Sequence, residues 1–206
     1  MTEIAKLLQS REDFYNTFTV QKGIEDLDKW RNEFPKELEN RYKEDSLYIT
    51  KKELKKLMDW KLHKGKYRAT LPKLIQQNDE KFVVQCSKSA FSTIVKRKGK
   101  GNDNDPKEYI KTIKSSMATI CQLRGVGPAT GSLILSLLSE ITHRAPPFFS
   151  DEAGMYVLTQ LGEFKGKLKY NNAEYMKYLQ WFVDLDPEME HNKTLLEQGA
   201  WCEWLK

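Results

Sequence analysis

Apolar residues recur at spacings of three and four along most of the chain, and no run alternates with period two. The pattern predicts an all-α fold. A short opening helix is expected over Glu3–Gln9, and a second from Ile24 through Trp30 toward Tyr42, with a bend at Pro35. Thr50-Lys51-Lys52-Glu53 has the form of a capping box, in which Thr50 and Glu53 satisfy each other's free amides. It opens a helix carrying Leu54, Leu57, Met58 and Leu62 on one face and ending near Gly65. Helices follow at Leu71–Gln76 and from Asp79 to about Lys96.

After a polar, Gly-containing stretch, Asp105-Pro106-Lys107-Glu108 restarts the chain with an N-cap, a proline at the first helical position and an early glutamate. That helix places Ile110, Ile113, Met117, Ile120 and Cys121 along one stripe and stops at Leu123. Further helices are expected at Ala129–Ile141, Asp151–Leu161, Ala173–Phe182 and Lys193–Leu205. The organisation expected is one all-α domain over 1–206, as one bundle or two lobes: a helical half 1–95, a basic loop 96–104 and a second half 105–206.

Charge changes this picture more than composition does. From Leu47 to Lys114 there are eighteen Lys and Arg against seven Asp and Glu, whereas each flank has eight basic against eleven acidic residues. A basic middle on a chain of net charge only +5 suits a polyanionic partner, although solvated lysine-rich helix faces give the same count. The richest apolar stretch, Leu133–Leu138, is far too short to span a bilayer, and Met1-Thr2-Glu3-Ile4 begins no secretory leader. An intracellular protein, nuclear or cytoplasmic, with no membrane partner is expected. Cys86, Cys121 and Cys202 are far apart and form no CxxC pair or Cys/His cluster, so reduced, buried thiols are expected and no metal or cofactor is called for.

The most informative stretch is Leu123-Arg124-Gly125-Val126-Gly127-Pro128-Ala129-Thr130, between two expected helices. Two glycines one residue apart permit backbone conformations closed to other residues and a close approach by another molecule. Val126 can plug the gap between the helices, and Pro128 starts the second without wasting an amide. The free N–H groups around Gly125–Thr130 then face outward at a helix N-terminus, where phosphate is favoured.

This stretch resembles the helix-hairpin-helix of DNA-repair proteins, in particular the DNA glycosylase superfamily named for that motif, its Gly/Pro-rich loop and its catalytic aspartate. Ala145-Pro146-Pro147-Phe148-Phe149-Ser150-Asp151 resembles the loop that delivers the aspartate, and the likeness covers roughly Lys107–Leu161. It implies a double-stranded DNA partner, held through the turn amides and Arg124, Gly125, Val126, Gly127, Ala129 and Thr130. It also implies Asp151 as the catalytic group, stabilising positive charge on a flipped-out nucleotide's sugar or orienting water, with Phe148 or Phe149 lining a pocket. Several positions depart from the family. Where bifunctional members place a nucleophilic lysine stands Ala129, the His often found after the aspartate is replaced by Ala153, the Gly127–Asp151 span is longer, and the iron–sulfur cysteines of one branch are absent. The resemblance therefore implies a monofunctional, metal-free glycosylase, or else a non-catalytic nucleic-acid-binding module of repair or chromatin.

A second candidate stretch runs from Met58 to Arg68. Lys61, Lys64, Lys66 and Arg68 are expected to contact phosphate, with base stacking on Trp60 or Tyr67. Trp60 in the core with lysines extending around it is the structural alternative. The Lys96–Lys100 cluster reads as a linker, a DNA-contacting loop or a nuclear-import signal. The Tyr170–Phe182 segment and Trp201-Cys202-Glu203-Trp204 read as core. A helical interaction protein with no nucleic-acid role, in which Gly125 and Gly127 only allow tight packing, is the third reading.

Overall fold

Residues 1–95 and 105–206 are described by the computed structural model, and the basic cluster 96–100 lies outside them. Among the described residues there are helices and no strands: α1 (Glu3–Gln21), α2 (Glu25–Lys43), α3 (Lys51–Lys64), α4 (Thr70–Gln76), α5 (Glu80–Val95), α6 (Pro106–Ile120), α7 (Pro128–Ser136), a 3₁₀ turn (Leu137–Glu140), α8 (Asp151–Gln160), α9 (Asn172–Leu185) and α10 (Lys193–Leu205). The starts follow local chemistry. Thr50 accepts from the Glu53 amide at 3.2 Å while the Glu53 carboxylate accepts from the Thr50 amide at 2.8 Å, which completes the capping box. Asp105 caps α6 ahead of Pro106, accepting from the Lys107 amide at 3.0 Å.

Two elements differ from expectation. Helix α1 continues to Gln21 instead of stopping at Gln9, because its second half packs on α10: Tyr15 and Phe18 both meet the Trp201 ring, with centroids 5.4 and 6.0 Å apart. The α7 segment tightens after Ser136 into the 3₁₀ turn, which packs against α2. Helix α2 continues through Pro35, a buried residue whose missing N–H leaves the Arg31 carbonyl without its helical donor.

One cluster of buried apolar residues draws on both halves of the chain. Helix α10 lies between α1 and α8, α5 pairs with α6, and α3 touches α4, α5 and α7. The α1–α10 crossing is the closest approach. A Cβ on Gly199 would stand 2.1 Å from the Leu7 carbonyl oxygen, so only glycine lets the two backbones meet there. Polar bonds seal one end of this pair. The Glu203 carboxylate accepts from Ser10, from Lys6 at 3.1 Å and from Lys206 at 2.6 Å. Burial works to raise the Glu203 pKa, but these bonds outweigh it and hold the carboxyl down at about 2. No helix among the described residues is long and apolar enough to cross a membrane.

Gly199→Ala should therefore lower the unfolding free energy by roughly 3 kcal/mol, the upper part of the range for overpacking, measured by urea denaturation. The depressed Glu203 pKa gives a second expectation. Its contribution is complete above about 4.5, the ordinary glutamate value, and is lost as pH falls through about 2. Thermal melts from pH 6 to 2 should show the wild type losing its advantage over Glu203→Gln across that window.

Candidate functional site

The turn between α6 and α7 is tight and well anchored. The Leu123 amide donates to the Ile120 carbonyl at 3.2 Å, and the Val126 amide to the Leu123 carbonyl at 3.1 Å. Val126 is buried and fills the gap between the helices. Gly125 sits at φ +78°, and a Cβ there would meet Leu74 Cβ at 3.0 Å and the Ile75 amide nitrogen at 3.3 Å, so both conformation and α4 exclude a side chain. Gly127 is different. Its φ of −102° suits any residue and a Cβ would meet nothing, so the expected need for a second unusual backbone conformation does not hold there.

Asn78, just beyond α4, clamps this turn from outside. Its Oδ1 accepts from the Arg124 amide at 2.8 Å, and its Nδ2 donates to the Arg124 carbonyl at 2.9 Å and the Ile75 carbonyl at 3.0 Å. The Arg124 side chain is exposed and donates to Gln77 Oε1 at 3.0 Å. Helix α7 starts with Pro128 and has no side-chain cap, so its first-turn amides at Ala129 and Thr130 have no intrahelical acceptor. The side chains of these two residues are buried, and what they offer is backbone.

A cleft of about 240 Å³ opens in front of this turn. Gly125, Gly127, Pro128, Ala129 and Thr130 form one wall, Lys61, Arg68 and Leu71 another, and Lys169 and Tyr170 the third. The two stretches singled out in the sequence thus share one cavity. Tyr170 was not among the expected site residues. It lies ahead of α9 at φ +55°, and the Lys169 and Tyr170 amides both donate to Glu174 Oε2, at 2.7 and 2.8 Å. That double bond holds a bulky residue in a left-handed conformation, which is costly unless the surroundings impose it. The Arg68 guanidinium lies over the Tyr170 ring at 4.6 Å.

Asp151 opens α8 beside the cleft. Its Oδ2 accepts from the Lys66 amide at 2.7 Å, and a Cβ on Gly65 would stand 2.9 Å from the same oxygen. The end of α3 is thereby fitted to the carboxylate. Burial pushes the Tyr170 hydroxyl up to about 12, with the Asp151 charge adding to it. Burial also lowers the Lys61 ammonium below the usual lysine range, opposed by the Asp151 charge and reinforced by Arg68.

Four of the sequence expectations are corrected. Lys64 is 1% exposed and cannot reach a phosphate outside the protein; its amine donates to the Tyr15 hydroxyl at 3.2 Å and lies 3.9 Å from the Trp201 ring centroid. Trp60 is buried, donating from Nε1 to Asp28 Oδ1 at 3.0 Å and packing on Phe148. Phe148 and Phe149 are buried too, Phe149 among Tyr170, Tyr175 and Tyr178. None of these three aromatics lines the cleft. Lys66 and Arg68 are exposed, whereas Lys61 is buried with its side chain on the cleft wall.

A signal for the two inward lysines was present: Lys61 and Lys64 follow Leu57 by four and seven residues, on the apolar stripe of α3. Asn78 had no such signal, since its partner Arg124 is 46 residues away. Cys86 and Cys202 are buried, Cys121 is partly so, and no group of three or more His, Cys, Asp or Glu among the described residues could hold a metal. No family model, curated protein or solved structure matches the chain.

Asn78→Ala removes both bonds that fix Arg124. It should cost about 2 kcal/mol, since each partly buried polar group left unpaired costs roughly 1 kcal/mol or more. Amide hydrogen exchange should speed up at Arg124 more than at the α1–α10 crossing.

Proposed function

We propose that this chain binds double-stranded DNA at the α6–α7 turn and acts on a nucleotide in the adjoining cleft. One observation carries the reading. The cleft joins the uncapped amides of a helix start to the cationic residues Lys61, Arg68 and Lys169. Backbone amides and a helix dipole favour phosphate at that point, and the lysine and arginine side chains extend the same preference along the groove. The excess of basic residues between Leu47 and Lys114 points the same way. The likeness of the turn and of the Pro-containing loop to DNA glycosylases supports a duplex substrate and breakage of an N-glycosidic bond. In this reading Asp151 faces the sugar and stabilises positive charge developing at its anomeric carbon.

A binding module without chemistry is the second reading. It is favoured by the burial of Trp60, Phe148 and Phe149, which leaves Tyr170, already covered by Arg68, as the aromatic wall of the cleft.

The open space beside Gly127 makes it a clean probe, because a side chain there causes no strain. Gly127→Glu should keep the fold, by circular dichroism, and weaken duplex binding roughly tenfold or more by placing a carboxylate where phosphate is held. Arg68→Gln should reduce the slope of log affinity against log salt by about one, while Lys64→Met should change stability and leave that slope unaltered. Duplexes carrying uracil, alkylated, deaminated or oxidised bases test the chemistry. Release by the wild type that vanishes in Asp151→Asn, with binding retained, supports the catalytic reading; salt-sensitive binding with no release supports the module. Absence of binding overturns both.

A further inference from the structure

We propose that the Lys61 amine is the nucleophile of this cleft and condenses with a sugar aldehyde, specifically the ring-opened deoxyribose of an abasic nucleotide. The inference rests on the nucleic-acid reading above for its substrate, and on the geometry of Lys61 for its chemistry.

Two lysines of α3 are taken out of water, and the protein treats them differently. Lys64 is saturated. Its amine bonds to Tyr15 and lies against the rings of Tyr15, Trp60 and Trp201, at 4.6, 5.2 and 3.9 Å from their centroids. Lys61 is 9% exposed, yet among the described residues its amine has no hydrogen-bond or ion-pair partner, and its side chain lines the cleft. A buried ammonium left unpaired is expensive, so an open approach to it calls for a reason. An amine attacks a carbonyl carbon only in its neutral form, and burial favours that form here, with Arg68 assisting and the Asp151 charge opposing. The space in front is kept by Ala129, whose small side chain belongs to the same wall. The remaining cationic neighbours, Arg68 and Lys169, suit the phosphates that flank such a sugar.

The chemistry balances without any outside oxidant or reductant. The Lys61 nitrogen adds to C1′ of the aldehyde, and loss of water leaves an imine. Asp151, whose charge already acts on Lys61, takes the C2′ proton; the C2′–H electron pair becomes the C2′–C3′ double bond, and the 3′ phosphate departs with the C3′–O pair. Water then hydrolyses the imine and returns the amine together with an unsaturated aldehyde. A reductant added in the test tube adds hydride to the imine and leaves a stable secondary amine.

The test uses the full chain with an abasic-site duplex and sodium cyanoborohydride, and locates the adduct by peptide mass spectrometry. The expected result is a single adduct on Lys61, lost in Lys61→Met and Lys61→Arg. Mapping on the wild type keeps the test decisive even if a variant fails to fold. Salt-sensitive duplex binding with no adduct, or with adducts spread over exposed lysines, would overturn the proposal and leave the binding reading in place. A parallel arm uses free deoxyribose 5-phosphate and the same reductant. Selective labelling of Lys61 there, without duplex binding, supports the amine chemistry and overturns the DNA substrate; no selective labelling in either arm overturns the proposal entirely.

Discussion

The end of α3 is held by a buried charge that has to be satisfied from several directions at once. An ammonium taken fully out of water costs several kcal/mol unless polar partners replace its hydration. Lys64 finds them on three other helices. Its amine bonds to Tyr15 of α1, the Tyr15 hydroxyl donates to Asp28 of α2 at 2.8 Å, and the Trp201 ring of α10 lies against it. Trp60 donates to the same Asp28, and Arg31 reaches Ser136 at the end of α7 at 3.0 Å. Lys22 ties the Lys64 carbonyl, at 2.8 Å, to Glu152 of α8, which also accepts from Trp201. Burial lowers the Lys64 pKa and raises that of Glu197, each opposed by the other's charge. Removing one member would strand the rest, so the arrangement sets where these helices can sit.

The candidate site inherits its geometry from this network. Lys64 is the last residue of α3, and once it is fixed, Gly65 and Lys66 must leave the helix beside the start of α8. There the Lys66 amide meets the Asp151 carboxylate. Ser150, next to Asp151, does not cap its own helix, because its hydroxyl donates to buried Glu197. The carboxylate is thereby held from both sides by elements anchored in the core, while Asn78 and Glu174 fix the α6–α7 turn and the Tyr170 loop around the cleft. Preorganisation of this kind, paid for in the core, suits a site that acts on charge.

Much of the fold was legible because helix periodicity and capping are local. The Thr50–Glu53 box, the Asp105–Pro106 start and the position of Pro128 are all visible within four residues, and each appears where expected. The length of α1 was not, because its second half is stabilised by rings on α10 that are distant in sequence. Among the cations of α3 and the segment after it, residue type alone made Lys61, Lys64, Lys66 and Arg68 look equivalent. A helix turns by a fixed angle per residue, so Lys61 and Lys64 share the stripe of Leu57 and go inward, whereas Lys66 and Arg68, beyond the helix end, stay in water.

The sequence by itself determined that the chain is helical, where most helices start, and that a tight turn precedes Pro128. These depend on backbone hydrogen bonds and caps between near neighbours. Only the tertiary structure decided that Lys61 faces a cleft while Lys64 is sealed, that Trp60, Phe148 and Phe149 serve the core, and that Tyr170 and Asn78 belong to the site. The physical reason is that burial and polar satisfaction are settled by groups dozens of residues apart, and no local pattern encodes which of them will meet.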